Sequence, residues 1–487
     1  MNDRSSEAKV ADDLRSALKR YSDHEKLPSS RVLVKRYGVS PVTVSRAIAV
    51  LVSEGLVVSR PGVGVFKTGT DRTPLPEGDL SWQEVALSAD AGPAGNGPGA
   101  REVSAAALLA TLTVPPADVI DLKGGYLHPS LQPERALAAA LARAGRRPGT
   151  WSRPPLEGLT ELRAWFARDI SGAGHALSAS DVLITGGGQN ALTTALRSLA
   201  ASGSPVLVES PTYPGTLAVA RAAGLRPVPV PVDDEGVRTD LLADAFQATG
   251  ARVFVCQPLF QNPTGVVLSP PRSREVLRIA REAGAFVIED DFARRLAHAD
   301  CPTLPPPLAA QDTDGVVVHL RSLTKAASPS LRIGALTARG PAMERLRSVQ
   351  IVDSFFVPRP LQETALELVV GPAWRTHLRR LASTLRERRE ALASELRRRG
   401  FPGQSPPRGG FHLWLRLPPG TDEAELVAAT LRAGAAVTAG GAYFAAESPA
   451  PHLRLSFAGT ANTGQLTAAA DCLHRACAEV GVPIGTG

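Results

Sequence analysis

Residues 322–334 read SLTKAASPSLRIG, and they follow directly on the run GVVVHLRS at residues 315–322. The β-branched run predicts a buried strand, and the Ser, Pro and Gly residues after it predict that the chain leaves the sheet in a loop. Lys325 therefore lies just past a strand end, with hydroxyl side chains before it and Arg332 after it. An amine and a guanidinium grouped at one strand end predict a site for an anionic ligand.

The same alternation of short apolar strands with helical stretches extends over the chain from about residue 116 onward. Strands alternating with helices predict a mostly parallel sheet covered on both faces, which binds ligands at the carboxyl ends of its strands. Towards the C-terminus, FHLWLRLP and HLRLSFA flank a helical stretch and predict a smaller α+β lobe. The predicted sheet strands before residue 315 are DVLIT (181–185), SPVLVES (204–210), LRPVPVPVD (225–233), ARVFVCQP (251–258) and AFVIEDD (285–291).

Two of these strands are followed by residues that could hold a flat, phosphorylated ligand. Gly188 and Gln189 open a helix, and the free N–H groups of a helix N-terminus suit a phosphate. Tyr213 follows the next strand, in ESPTYPG, and can cover one face of a ring. Both features also have ordinary interpretations, because glycine turns before helices are common and a tyrosine can be a core residue.

Polar groups at later strand ends add an amide, a carboxylate and a second guanidinium. Asn262 lies in QNPTG, and Asp290 and Asp291 end the strand in FVIEDDF. Asn-Pro is also an ordinary turn pair, and an acid at a strand end can simply cap a helix. Arg454, on the predicted strand HLRLSFA, has the fork geometry for a carboxylate, although a strand-borne surface arginine is unremarkable.

These groups match the needs of pyridoxal phosphate, which are an amine, an acid facing the ring nitrogen, a phosphate cradle and a stacking wall. Taken together and in this order, the segments resemble the fold-type I pyridoxal phosphate aminotransferases. The resemblance implies that Lys325 is the Schiff-base lysine, Asp290 the partner of the ring nitrogen, Asn262 the donor to the ring oxygen and Tyr213 the stacking wall. It assigns the phosphate cradle to Gly188, Gln189, Thr324 and Arg332, and the carboxylate clamp for an effector to Arg454.

Two positions depart from the pattern of that family. Phe292 stands where members commonly have a tyrosine that bonds the ring oxygen, and Gly188 stands where a hydroxyl residue often contacts the phosphate. Both changes weaken the case for efficient catalysis more than the case for cofactor binding.

The N-terminal seventy residues have a different character. Three amphipathic helical stretches begin at VADDLRSALKRY, LPSSRVLVKRY and SPVTVSRAIAVL, and VVSRPGVGVF then predicts two short strands around a glycine turn. Ser40 can cap the third helix, with Pro41 at its first position. These residues carry twelve Lys and Arg against seven Asp and Glu, which accounts for five of the seven net positive charges of the chain. A polyanionic partner is expected.

This segment resembles the winged helix-turn-helix of the GntR regulators, with L-P-S-x-R, G-V-S-x-x-T-V and a glycine-containing wing. The resemblance implies contacts with double-stranded DNA from Arg31, Arg46 and the wing at Gly62. The start of the third helix, where a recognition helix meets base edges, adds Ser40, Thr43 and Ser45. The alternative is a small helical interaction domain with solvated surface charges. With both segments included, the chain resembles the MocR group of regulators.

Residues 69–115, which include the Gly- and Pro-rich ADAGPAGNGPGARE, predict a flexible linker between a DNA-binding domain at 1–68 and an aminotransferase-like domain at 116–487. No apolar run reaches the length of a membrane span, so a cytoplasmic protein without a membrane partner is expected. The four cysteines lack metal-ligand spacing, and no metal is expected.

The leading hypothesis is a homodimeric transcriptional regulator that holds pyridoxal phosphate and senses a small amine or amino acid through aldimine chemistry at Lys325. The alternative is a catalytically active aminotransferase with a DNA-binding appendage. A third interpretation is that the cofactor itself is the effector.

Overall fold

The structure is a computed structural model that describes residues 6–68, 79, 82–83, 104–171, 177–402, 406–447 and 450–485, apart from the Lys19 side chain. Internal contacts divide the chain into two compact units, residues 1–100 and 101–487.

The first unit is a small helical domain with a β-hairpin. Its core is formed by apolar residues at helical spacing, among them Val10 and Leu14 of the first helix and Val44 and Leu51 of the third. The hairpin strands are antiparallel and pair Val57 with Lys67. The winged helix-turn-helix prediction is confirmed. The elements are α1 (Ser6–Ala17), α2 (Ser30–Tyr37), α3 (Pro41–Ser53), β1 (Val57–Arg60) and β2 (Gly64–Lys67).

The second unit is built on an eight-stranded sheet in the order β4-β11-β10-β9-β8-β5-β6-β7. Neighbours from β10 through β6 are parallel, whereas β11 and β7 run antiparallel to their neighbours. The mostly parallel sheet is therefore as predicted. The strands are β4 (Val182–Thr185), β5 (Pro205–Ser210), β6 (Arg226–Asp233), β7 (Gly236–Val237), β8 (Val253–Cys256), β9 (Phe286–Asp291), β10 (Val317–Ser322) and β11 (Gly334–Thr337).

Apolar clusters cover both faces of this sheet, since side chains alternate between the faces along each strand. Val287 of β9 belongs to one cluster and Ile288 to the other. The helices of the second unit that come before β11 in the chain are α4 (Ala106–Leu112), α5 (Glu134–Ala144), α6 (Thr160–Ile170), α7 (Gly188–Leu199), α8 (Pro214–Ala222), α9 (Thr239–Thr249), α10 (Pro270–Glu282) and α11 (Leu308–Gln311).

A smaller α+β lobe follows the sheet, as predicted. It contains a three-stranded sheet of order β12-β15-β14, and a short parallel pair joins β13 to β3 (Ile120–Asp121) near the start of the unit. The remaining elements are α12 (Pro341–Ser354), α13 (Arg359–Val370), α14 (Pro372–Arg398), β12 (His412–Arg416), α15 (Glu423–Arg432), β13 (Ala435–Ala436), β14 (Thr438–Ala439), β15 (His452–Ser456) and α16 (Thr463–Glu479).

The predicted linker, residues 69–115, lies mostly outside the described residues. Its last part is described, belongs to the second unit and contains α4, because the run AALLATL consists of good helix formers. The flexibility and the boundaries of the linker stay a prediction. Within the described residues, no helix is long and apolar enough to cross a membrane.

Candidate functional site

A cavity of about 250 Å³ opens at the carboxyl ends of the parallel strands. All eight positions that the sequence predicts for the cofactor, and Arg454 as well, line this cavity. The sheet brings them together because each position lies at the carboxyl end of a strand, in the loop or helix that follows it, or on a facing element. Their roles toward a cofactor stay predictions.

The cradle at one end of the cavity is built on the turn between β4 and α7. Gly187 has a φ of 91°, and a Cβ there would lie 3.0 Å from Nη2 of Arg332 and 3.3 Å from Oγ1 of Thr324. The Arg332 guanidinium donates to the Gly186 carbonyl at 2.7 Å. Thr324 Oγ1 is buried and has no hydrogen-bond partner among the described residues. A guanidinium, an uncommitted hydroxyl and a helix N-terminus at one glycine turn are the groups that bind a phosphate.

Lys325 is partly buried in the lining of the cavity. Its Nζ donates to the Gly125 carbonyl at 2.7 Å and lies 4.1 Å from the centroid of the Tyr126 ring. Burial, followed by the positive charges of Arg454 and Arg332, lowers the pKa of Lys325 to about 7, although Asp290 opposes this shift. A large fraction of this amine is therefore neutral near pH 7, and a neutral amine is the form that attacks a carbonyl.

Asp290, not Asp291, is the acid that faces the cavity. Adjacent residues of a strand point to opposite faces, and Asp291 is paired below the sheet with Arg294 and Arg321. Asp290 accepts a hydrogen bond from Gln257 Nε2 at 2.7 Å. Burial and the neighbouring Asp291 raise the pKa of Asp290 to about 6 against the effect of that bond. This carboxyl has no ion pair among the described residues, so it is suited to a cation supplied by a ligand.

Asn262 and Tyr213 line the cavity near Asp290. The backbone N–H of Asn262 donates to Gln257 Oε1 at 3.0 Å, whereas its side-chain Oδ1 is buried without a partner among the described residues. The Tyr213 hydroxyl lies 3.4 Å from Gln189 Oε1. Burial raises the pKa of Tyr213, which therefore stays protonated and can present its ring and hydroxyl to a ligand.

Arg454 occupies the side of the cavity that is formed by the small lobe. It is almost fully buried on β15, its Nη2 donates to the Lys123 carbonyl, and its guanidinium lies 5.5 Å from the Tyr443 ring centroid. No acid is paired with it among the described residues, so one carboxylate could be bound here.

The six predicted DNA-contacting residues lie on α2, α3 and the wing. Ser40 caps α3, and its Oγ accepts from the Thr43 backbone N–H at 3.1 Å and lies 2.8 Å from the Thr43 hydroxyl. Ser45 and Arg46 are exposed on the first two turns of α3, and Arg46 approaches Glu7 at 3.9 Å. Arg31 is exposed on α2, and Gly62 lies in the β1–β2 turn with a φ of 74°.

Several cavity residues were missed by the sequence reasoning. Gln257 lies one residue past β8, where a strand-end position was the only available signal. Tyr126, in GGYLHP, and His412, on β12, reach the cavity from distant parts of the chain, and no local pattern distinguished them. Leu108, Thr111 and Leu112 lie on α4, in a segment that was predicted to be linker.

Comparison with known families divides the chain in the same way. Residues 7–66 match the model of the bacterial regulatory proteins of the gntR family, and residues 117–473 match aminotransferase class I and II. The HTH-type transcriptional regulator YisV of Bacillus subtilis is 31% identical over 80% of this chain and 79% of its own length.

Enzymes of the same fold are also similar to this chain. The 2-aminoadipate transaminase of Thermus thermophilus is 31% identical over 78% of this chain and 93% of its own length. The crystal structure of LysN, an alpha-aminoadipate aminotransferase of the same species in complex with N-(5'-phosphopyridoxyl)-L-leucine, has a TM-score of 0.72 at 29% identity. That alignment covers 82% of this chain and 99% of LysN. The chain has a GntR-type domain and a class I and II aminotransferase domain, and HTH-type transcriptional regulators are among its relatives, so it belongs to the MocR-type transcriptional regulators.

Proposed function

We propose that this regulator contacts an operator through residues 1–68, holds pyridoxal phosphate on Lys325 and responds to a small amine or amino acid. The proposed domain division is 1–68 for the DNA-binding domain, 69–115 for the linker and 116–487 for the effector-binding domain. The helix α4, at the end of the proposed linker, belongs to the second compact unit. The observation that carries the proposal is one cavity lined by Lys325, Asp290 and the Gly188 N-terminus of α7. We expect such a regulator to act in the cytoplasm.

The chemical groups of the cavity fit this cofactor. Thr324 Oγ1 is a buried polar atom without a partner among the described residues, which is costly unless a ligand satisfies it. A Cβ at Gly187 would fill the space beside Arg332 where a phosphate would bind.

When bound, pyridoxal phosphate supplies a carbon that reacts with primary amines and a ring that withdraws electrons. Lys325 would hold it covalently through Nζ, and Asp290 would keep the ring nitrogen protonated. The Gly188 N-terminus of α7, Gln189, Thr324 and Arg332 would bind the phosphate, Tyr213 would cover one ring face and Asn262 would contact the ring oxygen. Lys325 Nζ would be the group that competes with an effector amine for the cofactor, and Arg454 would bind any carboxylate of that effector.

An absorbance measurement tests the role of Lys325. The purified protein should carry the visible band of lysine-bound pyridoxal phosphate, and Lys325→Ala should lose it. Lys123→Ala is the matched control, because the Lys123 side chain contacts Thr113 instead of lining the cavity. A band that persists in Lys325→Ala would remove the assignment. DNA footprinting with and without the cofactor then tests the link to regulation.

We further propose that two copies of the chain pair through the second unit. Trp151, Val352 and Phe355 are large apolar side chains with strongly exposed surfaces. The loop that contains Trp151 lies close to the segment after Phe355, since a Cβ on Gly149 would lie 3.7 Å from Arg359 Nη1. Analytical ultracentrifugation of the wild type and of Val352→Glu measures the oligomeric state. We expect the wild type to be a dimer and the variant to dissociate. A monomeric wild type would contradict the proposal.

A working aminotransferase is the second candidate, because Lys325, Asp290 and Arg454 share one cavity and an enzyme is among the relatives. We expect slow or absent transamination, since Phe292 in the cavity lining offers no hydroxyl to the ring oxygen. An assay with an amino donor and a keto acid separates the two functions. Sustained turnover at roughly 1 to 1,000 per second would make the protein an enzyme.

A further inference from the structure

The helix α4, Ala106–Leu112, forms part of the wall of the cavity. Leu108, Thr111 and Leu112 line the cavity, and the helix contacts α8. No residue of α4 is fully buried, and Leu112 is 51% exposed. Two leucines at the edge of a cavity are apolar surface that a ligand could cover.

The charges of the cavity limit which ligand can enter it. Among the described lining residues the cationic side chains are Lys325, Arg332 and Arg454. In the proposed function Lys325 holds the cofactor and Arg332 its phosphate, so Arg454 alone remains for the effector. If a ligand carried a second carboxylate, that carboxylate would be buried without a cation to pair with. Unpaired buried charges are unfavourable.

His412 adds a neutral polar group beside Arg454. It is buried on β12, lines the cavity, and its Nε2 has no hydrogen-bond partner among the described residues. Burial and the positive charges of Arg454 and Lys325 lower its pKa well below the usual value. A neutral imidazole can donate one hydrogen bond to the carboxylate that Arg454 binds, but it supplies no charge for a second one.

The wall also contains apolar and aromatic side chains beside the polar groups. Phe411 and Tyr126 line the cavity together with Leu108 and Leu112. This surface favours a hydrocarbon side chain, because apolar surface removed from water stabilises the complex.

We propose that the effector is an α-amino acid with one carboxylate and an apolar side chain, and that Leu108 and Leu112 of α4 select it. This inference rests on the proposed function, since it assumes that Lys325 and Arg332 are engaged by the cofactor. It goes further by naming the chemical class of the ligand and the residues that determine specificity.

Calorimetric titration of the cofactor-loaded full chain with L-leucine and with L-glutamate tests the inference. We expect L-leucine to bind at least about tenfold more tightly than L-glutamate, and Leu108→Ser to weaken L-leucine binding by about tenfold. Leu109→Ser is the matched control, because Leu109 is on the same helix, 55% exposed, and outside the cavity lining. Leu112→Arg should strengthen L-glutamate binding and so reduce the preference for L-leucine over L-glutamate. Circular dichroism checks the fold of each variant.

Three outcomes would overturn the inference: tighter binding of L-glutamate by the wild type, equal effects of Leu108→Ser and Leu109→Ser, or binding of neither amino acid. These outcomes are distinct from failure of the proposed function, which is tested by the absorbance of Lys325→Ala. If the cofactor band is normal but L-glutamate binds more tightly than L-leucine, only the proposed ligand class and the proposed role of α4 are contradicted.

Discussion

The contribution of each residue around the cavity depends on the direction in which its side chain points. Asp290 and Asp291 are neighbours with the same carboxyl group, yet one faces the cavity and the other is held by Arg294 and Arg321. Gln257 connects Asp290 to the backbone of Asn262 with a hydrogen bond at each end of its amide. Substitution of these residues should therefore have specific effects.

Replacing Gln257 should perturb Asp290 in particular. Gln257→Leu removes the donor to Asp290 and the acceptor for the Asn262 N–H, and each buried group left without a partner costs about 1–3 kcal/mol. Because that donor lowers the pKa of Asp290, its loss should raise the pKa further and weaken the hold on a protonated ring nitrogen. Denaturation measures the stability, and a pH titration of cofactor absorbance measures the second effect. Gln247→Leu, at an exposed position of α9, is the control; equal effects of the two variants would contradict the prediction.

Glu209 should make stability depend on pH. It is buried near the end of β5, accepts from the Gln257 N–H at 3.0 Å, and burial raises its pKa from 4.5 to about 7. Between pH 4.5 and about 7, Glu209 is protonated in the folded chain but ionised in the unfolded chain. The contribution of Glu209 to the free energy of unfolding therefore decreases as the pH rises through this range.

The free energy of unfolding of the wild type should therefore decrease across this window more than that of Glu209→Gln, by roughly 1–3 kcal/mol. Chemical denaturation of both proteins between pH 5 and pH 8 measures the difference. Asp290 and Lys325 titrate in both proteins, so the comparison isolates Glu209. Identical pH slopes would show that Glu209 is already ionised in the folded chain.

At the scale of elements, caps and turns determine where the recognition helix begins. Gly38 ends α2 in the left-handed conformation at a φ of 62°, and Ser40 and Pro41 start α3 two residues later. Since the Ser40 hydroxyl is already bonded within α3, the effect on DNA binding that we propose for Ser40 would include the positioning of that helix.

Removing the cap should destabilise the first unit. Ser40→Ala deletes the acceptor for the Thr43 N–H and should lower the free energy of unfolding by about 1 kcal/mol. Ser53→Ala, at the exposed last residue of the same helix, should change it by less than about 0.5 kcal/mol. Denaturation of the full chain, followed at the transition of the first unit, compares them. Equal effects of the two variants would mean that the cap contributes nothing.

In the whole molecule, the two proposed activities depend on different chemistry. DNA binding is proposed for a basic surface and small-molecule binding for the cavity. Residues 1–70 carry most of the net positive charge. Counterions released from DNA phosphates should make operator binding strongly dependent on salt.

Operator affinity should fall by about 10³-fold or more between roughly 50 and 200 mM salt. Arg46→Ala should weaken specific binding by about 1–3 kcal/mol, whereas the control Arg375→Ala, exposed in the second unit, should not. A chain of residues 69–487 should keep the cofactor band and lose DNA binding. Fluorescence anisotropy with an operator duplex measures the affinities, and retained affinity in the truncated chain would place DNA binding elsewhere.

Most strands and helices and their order, although not α4 in the predicted linker, could be predicted from local sequence patterns. Alternating apolar strands and helices predicted the parallel sheet, Ser40 and Pro41 predicted the start of α3, and the strand before Lys325 predicted the amine at a sheet edge. Those signals are carried by residues that are close in the chain, where propensity and periodicity act.

The composition of the cavity was decided by the tertiary structure. Lys325 Nζ donates a hydrogen bond to the carbonyl of Gly125, which is 200 residues away in the chain. The same cavity is lined from other elements by Gln257, Tyr126, His412 and residues of α4. The choice between Asp290 and Asp291 also required the folded sheet, since it depends on which face borders the cavity and which borders the core. Contacts between distant segments arise from packing, and packing leaves no local pattern in the sequence.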